Sequence, residues 1–329
     1  MLVQFGMEDV PRQFVAGHPA WVLLSFLWHG ESMTPANLMR LMEQFSDESK
    51  CRETLMNLRW PSGVTCLHCG HDKVTPVKDR KVLDCNSCHY QFSVTVGTMF
   101  QDSHLPLTKW FVVTYLLTES RKGMSANQIR RMLGVSYKTA WYLCHRIRAA
   151  MKEVVMPDLD GVVEIDETYV GGKSRIGRPH REKEIVIGVR QRDGELRFTR
   201  VSDVKANTLY KVIHQNVSDD VEFIITDDFS AYDGAMGNQF KDKHVTINHS
   251  EKRYSNGWIY TNTVESAFSL LKRGVIGTWH KVSAKHLPAY LDEMCWRFNN
   301  RKNQYLFRDT LIKMLEAEHV EYKDLTRAA

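Results

Sequence analysis

Three carboxylates spread along the chain, Asp166, Asp227 and Glu265, have the types and settings to do chemistry. Asp166 follows the apolar run Gly161-Val-Val-Glu-Ile165, and Asp227 follows Val221-Glu-Phe-Ile-Ile-Thr226. Both runs read as strands, so each aspartate is expected at a strand end. Glu265 lies in TNTVESAFSLLKRG, Thr261 to Gly274, which reads as a helix. Val264, Phe268 and Leu271 share its apolar face, while Glu265, Ser269 and Lys272 share another. Thr263 is expected to cap this helix and Gly274 to end it. Adjacent carboxylates repel, and a cation between them relieves the repulsion. Hard oxygen ligands suit Mg2+ or Mn2+. Three acids can hold two such ions about 3.5–4 Å apart, an arrangement suited to in-line displacement at phosphorus. Lys272 would then bind a phosphate.

Each acid has neighbours of similar chemistry. Glu164 and Glu167 flank Asp166, but alternation along a strand sends adjacent residues to opposite faces. Glu164 shares the face of Asp166 and is expected deeper in the sheet. Asp228 reads as a cap or a support for Asp227, and Asn262 as an oxygen ligand in place of Glu265. His249 is placed to orient a ligand or a phosphate.

Two Cys-x-x-Cys pairs, Cys66/Cys69 and Cys85/Cys88, offer a different chemistry. Each such turn sets two sulfurs about one metal, and four thiolates close a tetrahedral zinc shell. Strand-like stretches lead into and out of the second pair, so residues 61–100 read as a zinc ribbon holding one structural Zn2+. His68, His71 and His89 stand beside a shell that is already complete. The odd total of seven cysteines also fits metal binding in a reducing compartment better than a disulfide framework.

The elements that must position these groups follow in order. Residues 1–32 carry no readable motif. Thr34-Pro35 suits a helix start, and helical spacing continues to about residue 60. Pro106 to Glu119 reads as a buried helix. Ser125 and Ser136 then cap two helices separated by Gly134, with Ala140, Cys144, Ile147 and Met151 at core spacing. That is the pattern of a helix-turn-helix, whose second helix enters the major groove. Tyr137, Lys138 and Thr139 would face bases, and Arg146 and Arg148 would hold phosphates. Arg121 to Lys152 contains eight Lys or Arg and no Asp or Glu, which points to a polyanion partner.

Beyond Asp158 the chain reads as strands. Gly161–Ile165 leads to a basic loop with Lys173, Arg175, Arg178, Arg181 and Lys183. Glu184–Arg190 and Leu196–Val201 form a hairpin about Arg192-Asp-Gly194. A helix (Lys205–Gln215), a strand (Val221–Thr226), a short strand (His244–Ile247), the Glu265 helix and a last long helix from about Ala284 follow. This is the order of a ribonuclease-H-like fold, an α/β mixed sheet with flanking helices. In that topology Asp166 and Asp227 become neighbours. The expected organisation is an extension (1–32), a helical lead-in (33–60), the ribbon (61–100), the helix-turn-helix region (101–155), the α/β domain (156–303) and a C-terminal tail or helix (304–329).

With 43% hydrophobic residues over 329 positions the chain can bury real cores, and its net charge is only +5. Phe14–Trp28 is too short and broken to span a bilayer, and no cleavage site follows it, so a soluble intracellular protein is expected.

From Thr34 onward the sequence resembles the DDE transposases of bacterial insertion sequences, the ISXO-like group. The matching stretches are RWPSGVTCLHCG with the second cysteine pair, LGVSYKTAWYLCHRIRAAM, VEIDETYVGG, ITDDFSAY, TNTVESAFSLLKRGVIGTWHKVS and YLDEMCWRFNNR. The resemblance implies a Mg2+-dependent recombinase that cleaves and joins the ends of its own element. By position, Asp166, Asp227 and Glu265 match the family triad and Lys272 its following basic residue; relatives with Asn or His as third ligand keep Asn262 in view. It further implies double-stranded DNA as partner (terminal inverted repeats and target), homo-oligomers assembled on DNA, no membrane, and a cytoplasmic, nucleoid-associated place in bacteria. Two other functions fit the same residues, a non-catalytic DNA-binding regulator and a nuclease of the same fold without strand transfer.

Overall fold

The computed structural model describes residues 37–78, 80–171, 183–247 and 260–327. The extension, the Thr34-Pro35 helix start, Lys173, Arg175, Arg178, Arg181 and His249 lie outside the described residues. The chain divides between Val96 and Gly97 into two compact units.

In the first unit α1 (Leu38–Gln44) and α2 (Glu48–Arg59) precede a three-stranded antiparallel sheet, β1 (Val74–Pro76), β2 (Leu83–Cys85) and β3 (Gln91–Phe92). Asp47 caps α2 by accepting from the N–H groups of Ser49 and Lys50. A core this small needs help from outside the sheet. Leu83 and Phe92 are joined by Met56 and Trp60 from α2 and its end, and by the cysteines themselves.

The second unit opens with α3 (Leu107–Glu119), α4 (Ala126–Leu133) and α5 (Tyr137–Ala150). Ser125 and Ser136 cap α4 and α5 as expected, and Gly134 turns between them in the left-handed region, at φ 63°. A five-stranded mixed sheet follows, in spatial order β6-β5-β4-β7-β8. It comprises β4 (Val162–Val170), β5 (Glu184–Gln191), β6 (Leu196–Val201), β7 (Phe223–Asp227) and β8 (His244–Ile247). β4, β5 and β6 pair antiparallel, whereas β7 lies parallel to both β4 and β8. This is the expected ribonuclease-H-like sheet.

Alternation decides what each face packs against. Val163, Ile165, Ile187, Val189 and Ile224 meet Leu209, Val212, Tyr232 and Phe240 from α6 (Ala206–His214) and α7 (Ala231–Phe240). Val186 and Phe198 on the other face meet Val264, Phe268, Leu271 and Leu291 from α8 (Asn262–Gly274) and α9 (Leu287–Asn299). α8 ends at Gly274 as expected, and the chain runs on through a π-helical turn, Val275–Trp279. The missing side chain of Gly274 also makes room, since a Cβ there would sit 3.1 Å from the Trp279 ring. Two helices close the chain, α10 (Leu306–Glu316) and α11 (Tyr322–Thr326).

The helix-turn-helix region departs from expectation at two residues. Arg146 and Arg148 are 2% and 1% exposed and so do not hold phosphates. Arg148 pairs with buried Glu293 of α9 at 2.5 Å and lies over the Tyr290 ring. Arg297 approaches the same carboxylate at 3.2 Å. Arg146 donates to the Gln101 carbonyl at 2.6 Å and stacks over Trp110. Leu143 to Arg148 are all buried, so only the first turns of α5 are open to a ligand. Glu293 is 145 residues away, and no local pattern announces a partner at that distance. Exposed cations remain at Arg121, Lys122, Arg130, Arg131, Lys138 and Lys152.

Removing Glu293 strands two buried guanidinium groups. Glu293→Ala is expected to destabilise the second unit by roughly 3–5 kcal/mol, read as a lower denaturant midpoint. A loss below about 1 kcal/mol would show that the pair does not hold α5 to α9.

Candidate active site

Asp166 sits within β4 rather than at its end. On one side β5 pairs with β4 through Val170↔Glu184. On the other side the parallel register runs Glu164↔Ile225, and β7 stops at Asp227. Two residues on from that pair, Asp166 and Asp227 stand side by side at a step in the sheet. The strand continues past Asp166 because β5 still supplies a ladder; the aspartate is nonetheless opened to one side because β7 does not.

The step admits a fourth acid. Carboxylate oxygens of Asp166, Glu167 and Asp227 all lie within 4.8 Å of one another. The expectation that alternation removes Glu167 is corrected here. Beyond the end of β7 no strand separates the two faces on that side of β4, and the longer glutamate reaches the cluster. Tyr232 of α7 holds it there, donating its hydroxyl to Oε2 at 2.8 Å. The Glu167 N–H donates to Asp166 Oδ1 at 2.8 Å, and the Phe229 N–H to Asp227 Oδ1 at 3.2 Å. Tyr232 closes the matching stretch ITDDFSAY, but nothing in the sequence assigned it a role.

Burial pushes the Asp166 carboxyl up to about 7; the Glu167 N–H opposes this, and the charges of Glu167, Asp227 and Glu265 add to it. Burial also raises Glu167, against the Tyr232 hydrogen bond and with the Asp227 charge. Such crowding is what a divalent cation relieves, and the donor set is all hard oxygen.

Glu265 occupies the first turn of α8, exposed, with its Oε1 accepting from the Thr261 hydroxyl at 3.1 Å. It lies outside the 4.8 Å group, although its charge is felt at Asp166. Asn262 is the exposed first residue of the same helix. Asp228 is exposed and also outside the group. Lys272 is exposed in the last turn of α8. Lys138 is exposed at the start of α5, its ammonium 4.3 Å from the Tyr322 ring centre. The Thr139 hydroxyl is engaged with Ser136 Oγ at 2.9 Å, within the capping turn.

Two further residues set where α8 lies. Gly188 pairs with Asp166, and a Cβ there would come 2.8 Å from both Val264 and Phe268. Only glycine lets the helix sit this close beside the aspartate. The start of α8 is capped not by Thr263 but by Glu164, which accepts from the N–H groups of Thr263 and Val264. A buried acid in a strand signals an unseen partner, and the sequence does not say which.

In the first unit the sulfurs of Cys66, Cys69, Cys85 and Cys88 lie within 4.8 Å of one another. Sγ of Cys66 is 3.7 Å from that of Cys88, and Cys69 is 3.6 Å from Cys85. Each turn is closed by a backbone bond, Gly70 N–H to Cys66 O and His89 N–H to Cys85 O. Burial opposes the Cys66 thiolate, yet the N–H groups of Cys69 and His68 outweigh it and lower the thiol to about 6. His68 packs against Tyr90, and His71 Nδ1 accepts from the Lys73 N–H.

The Asp166 shift has a measurable sign. Its ordinary value is 3.8, and folding raises it to about 7, so the folded metal-free protein holds the extra proton between those values. Stability of the metal-free protein should therefore fall as pH rises through that window and level off above it. Asp166→Asn should flatten this slope in thermal unfolding with chelator present; an unchanged slope would place the titration elsewhere.

Comparison with known proteins agrees with this geometry. Residues 158–299 match the ISXO2-like transposase domain, and residues 46–91 match the transposase zinc-ribbon domain. An uncharacterized protein in transposable element ISH50 of Halobacterium salinarum is 27% identical over 274 residues, 77% of this chain and 91% of that one. Among solved structures the chain is similar to the Mos1 transposase paired-end complex with left transposon end, at 12% identity over 62% of this chain and 74% of that chain, TM-score 0.30. A pre-cleavage Mos1 transpososome gives 12% identity, 63% and 75% coverage and a TM-score of 0.26. Both likenesses are slight, and the fold rests on the sheet order. No helix among the described residues is long and apolar enough to cross a membrane. This single chain thus carries, in order, a transposase zinc-ribbon domain and an ISXO2-like transposase domain.

Proposed function

We propose that this transposase cleaves and joins DNA strands at the ends of its own element, in a reaction that depends on divalent metal. The observation that carries the reading is the Asp166–Asp227 pair at the step in the sheet, where burial and like charge hold Asp166 near neutrality. Asp166, Asp227 and Glu265 would hold Mg2+ or Mn2+, two ions in all, with Glu167 as an added carboxylate. Such ions, when bound, lower the pKa of an attacking water or 3′-hydroxyl and stabilise the leaving oxygen. The chain supplies the rest. Asp166 gives up its proton as the site is loaded, and Tyr232 keeps Glu167 turned inward. Lys272 neutralises a DNA phosphate beside the site.

DNA is held by the exposed cations Arg121, Lys122, Arg130, Arg131, Lys138 and Lys152, with the open first turns of α5 as the base-reading end. Joining two element ends to one target calls for more than one copy of the chain on DNA. The four thiolates would hold one structural Zn2+ and make the ribbon fold as a unit.

The test of catalysis is cleavage of a labelled duplex carrying the native element end. Asp166→Asn, Asp227→Asn and Glu265→Gln should each abolish cleavage and joining in Mg2+ while end binding in a gel shift persists. Glu167→Gln should slow the reaction without abolishing it. Full activity in Asp166→Asn would leave a DNA-binding regulator as the better reading; cleavage without joining in the wild type would leave a nuclease.

For the ribbon, elemental analysis should find one zinc per chain in the wild type. Cys85→Ser should lose it and unfold the ribbon while the second unit keeps its thermal transition. A zinc-free wild type with a folded ribbon would refute the assignment.

A further inference from the structure

The first turn of α8 is held from outside the helix. Glu164, fully buried on β4, lies on the face of Asp166 and one pleat earlier. Its Oε2 accepts from the Thr263 N–H at 3.0 Å, the Val264 N–H at 3.1 Å and the Thr263 hydroxyl at 2.6 Å. Its Oε1 pairs with Arg192 Nε at 2.7 Å. Arg192 then donates to the Tyr260 carbonyl at 2.8 Å and lies 3.7 Å from the centre of that ring. Arg190 donates to the Thr263 carbonyl at 2.8 Å. Thr261, just before the helix, makes no capping bond; its hydroxyl goes to Glu265.

These contacts join β4, β5 and the turn after it to the residues that immediately precede Glu265. Asp166 is two residues from Glu164, and Glu265 is one residue from Val264. The span between the two acids is thereby set through a few rigid bonds on one strand. Gly188 completes the seat by letting Val264 and Phe268 lie against the sheet.

We propose that Glu164 is the positioning residue of the metal centre, docking α8 on β4 so that Glu265 is carried into range of Asp166 and Asp227. This rests on the reading of those three acids as the metal-holding set. Glutamine at 164 cannot serve both partners: its one oxygen can meet the helix N–H groups or Arg192, and its NH2 repels the other. The carboxylate itself takes no metal, since all four of its contacts face the helix and Arg192.

The test is Mn2+ affinity of the full-length protein, measured by electron paramagnetic resonance of free Mn2+, beside thermal unfolding and end binding. Glu164→Gln should weaken Mn2+ binding roughly 10- to 100-fold, as loss of an orienting partner does. Its cleavage should recover at raised Mn2+, and end binding should stay at the wild-type level. Added to Glu265→Gln, it should cost little further affinity, because the two act through one ligand. Thr263→Val removes one of the four contacts and should shift affinity the same way by less; it decides the matter if Glu164→Gln does not fold. A lowered unfolding temperature with wild-type Mn2+ affinity in both variants would reduce Glu164 to a structural role and overturn the proposal. Wild-type Mn2+ affinity in Glu265→Gln would instead overturn the assignment of Glu265, whatever Glu164→Gln does.

Discussion

Negative charge crowded into a half-buried step is the constraint on which the second unit depends. The step exists because β7 stops at Asp227 while β4, still paired with β5, runs on to Val170. Two aspartates from parallel strands then share a space that a third neighbour, Glu167, enters from the opposite face. Burial alone would drive such acids neutral; the surrounding N–H donors and the Tyr232 hydroxyl keep their oxygens oriented while they are raised. Crowded hard oxygens of this kind are what a divalent cation relieves.

Buried charge serves twice as a joint between elements. Glu164 is satisfied by a helix end and a guanidinium, so it behaves as a joint. Glu293 gathers Arg148 and Arg297 and ties α5 to α9. The helices α4 and α5 and the α/β sheet are parts of one compact unit, with α5 tied to α9 through a buried ion pair. Only the first turns of α5 stay open to a ligand, because its later turns are built into the core. C-terminal residues take part in this as well: Tyr142 donates to the Val320 carbonyl, and Tyr322 packs beneath Lys138.

Much of the architecture was legible because it is local. The apolar runs in GVVEID and VEFIITD, the Asp-Gly hairpin, the serine caps around Gly134 and the cysteine spacing each report on a few adjacent residues, and all are found in place. The two strand-borne aspartates could be paired from strand order alone. Failures arose where a contact partner lay far along the chain. Arg146 and Arg148 look like phosphate holders until Gln101 and Glu293 are seen beside them. Thr263 looks like a cap until Glu164 is found in that role.

The order and type of most elements, the cysteine cluster and the pairing of the two aspartates were determined by sequence, since periodicity and spacing act over one element at a time; the helix Ala231–Phe240 was not. Tertiary structure decided which charges are buried, how Glu167 joins the acids, why Asp166 pairs with a glycine and what holds α8. These depend on where β7 ends relative to β4 and on side chains brought together across a hundred residues. Burial and Coulomb interaction act through space, and only the folded chain defines those distances.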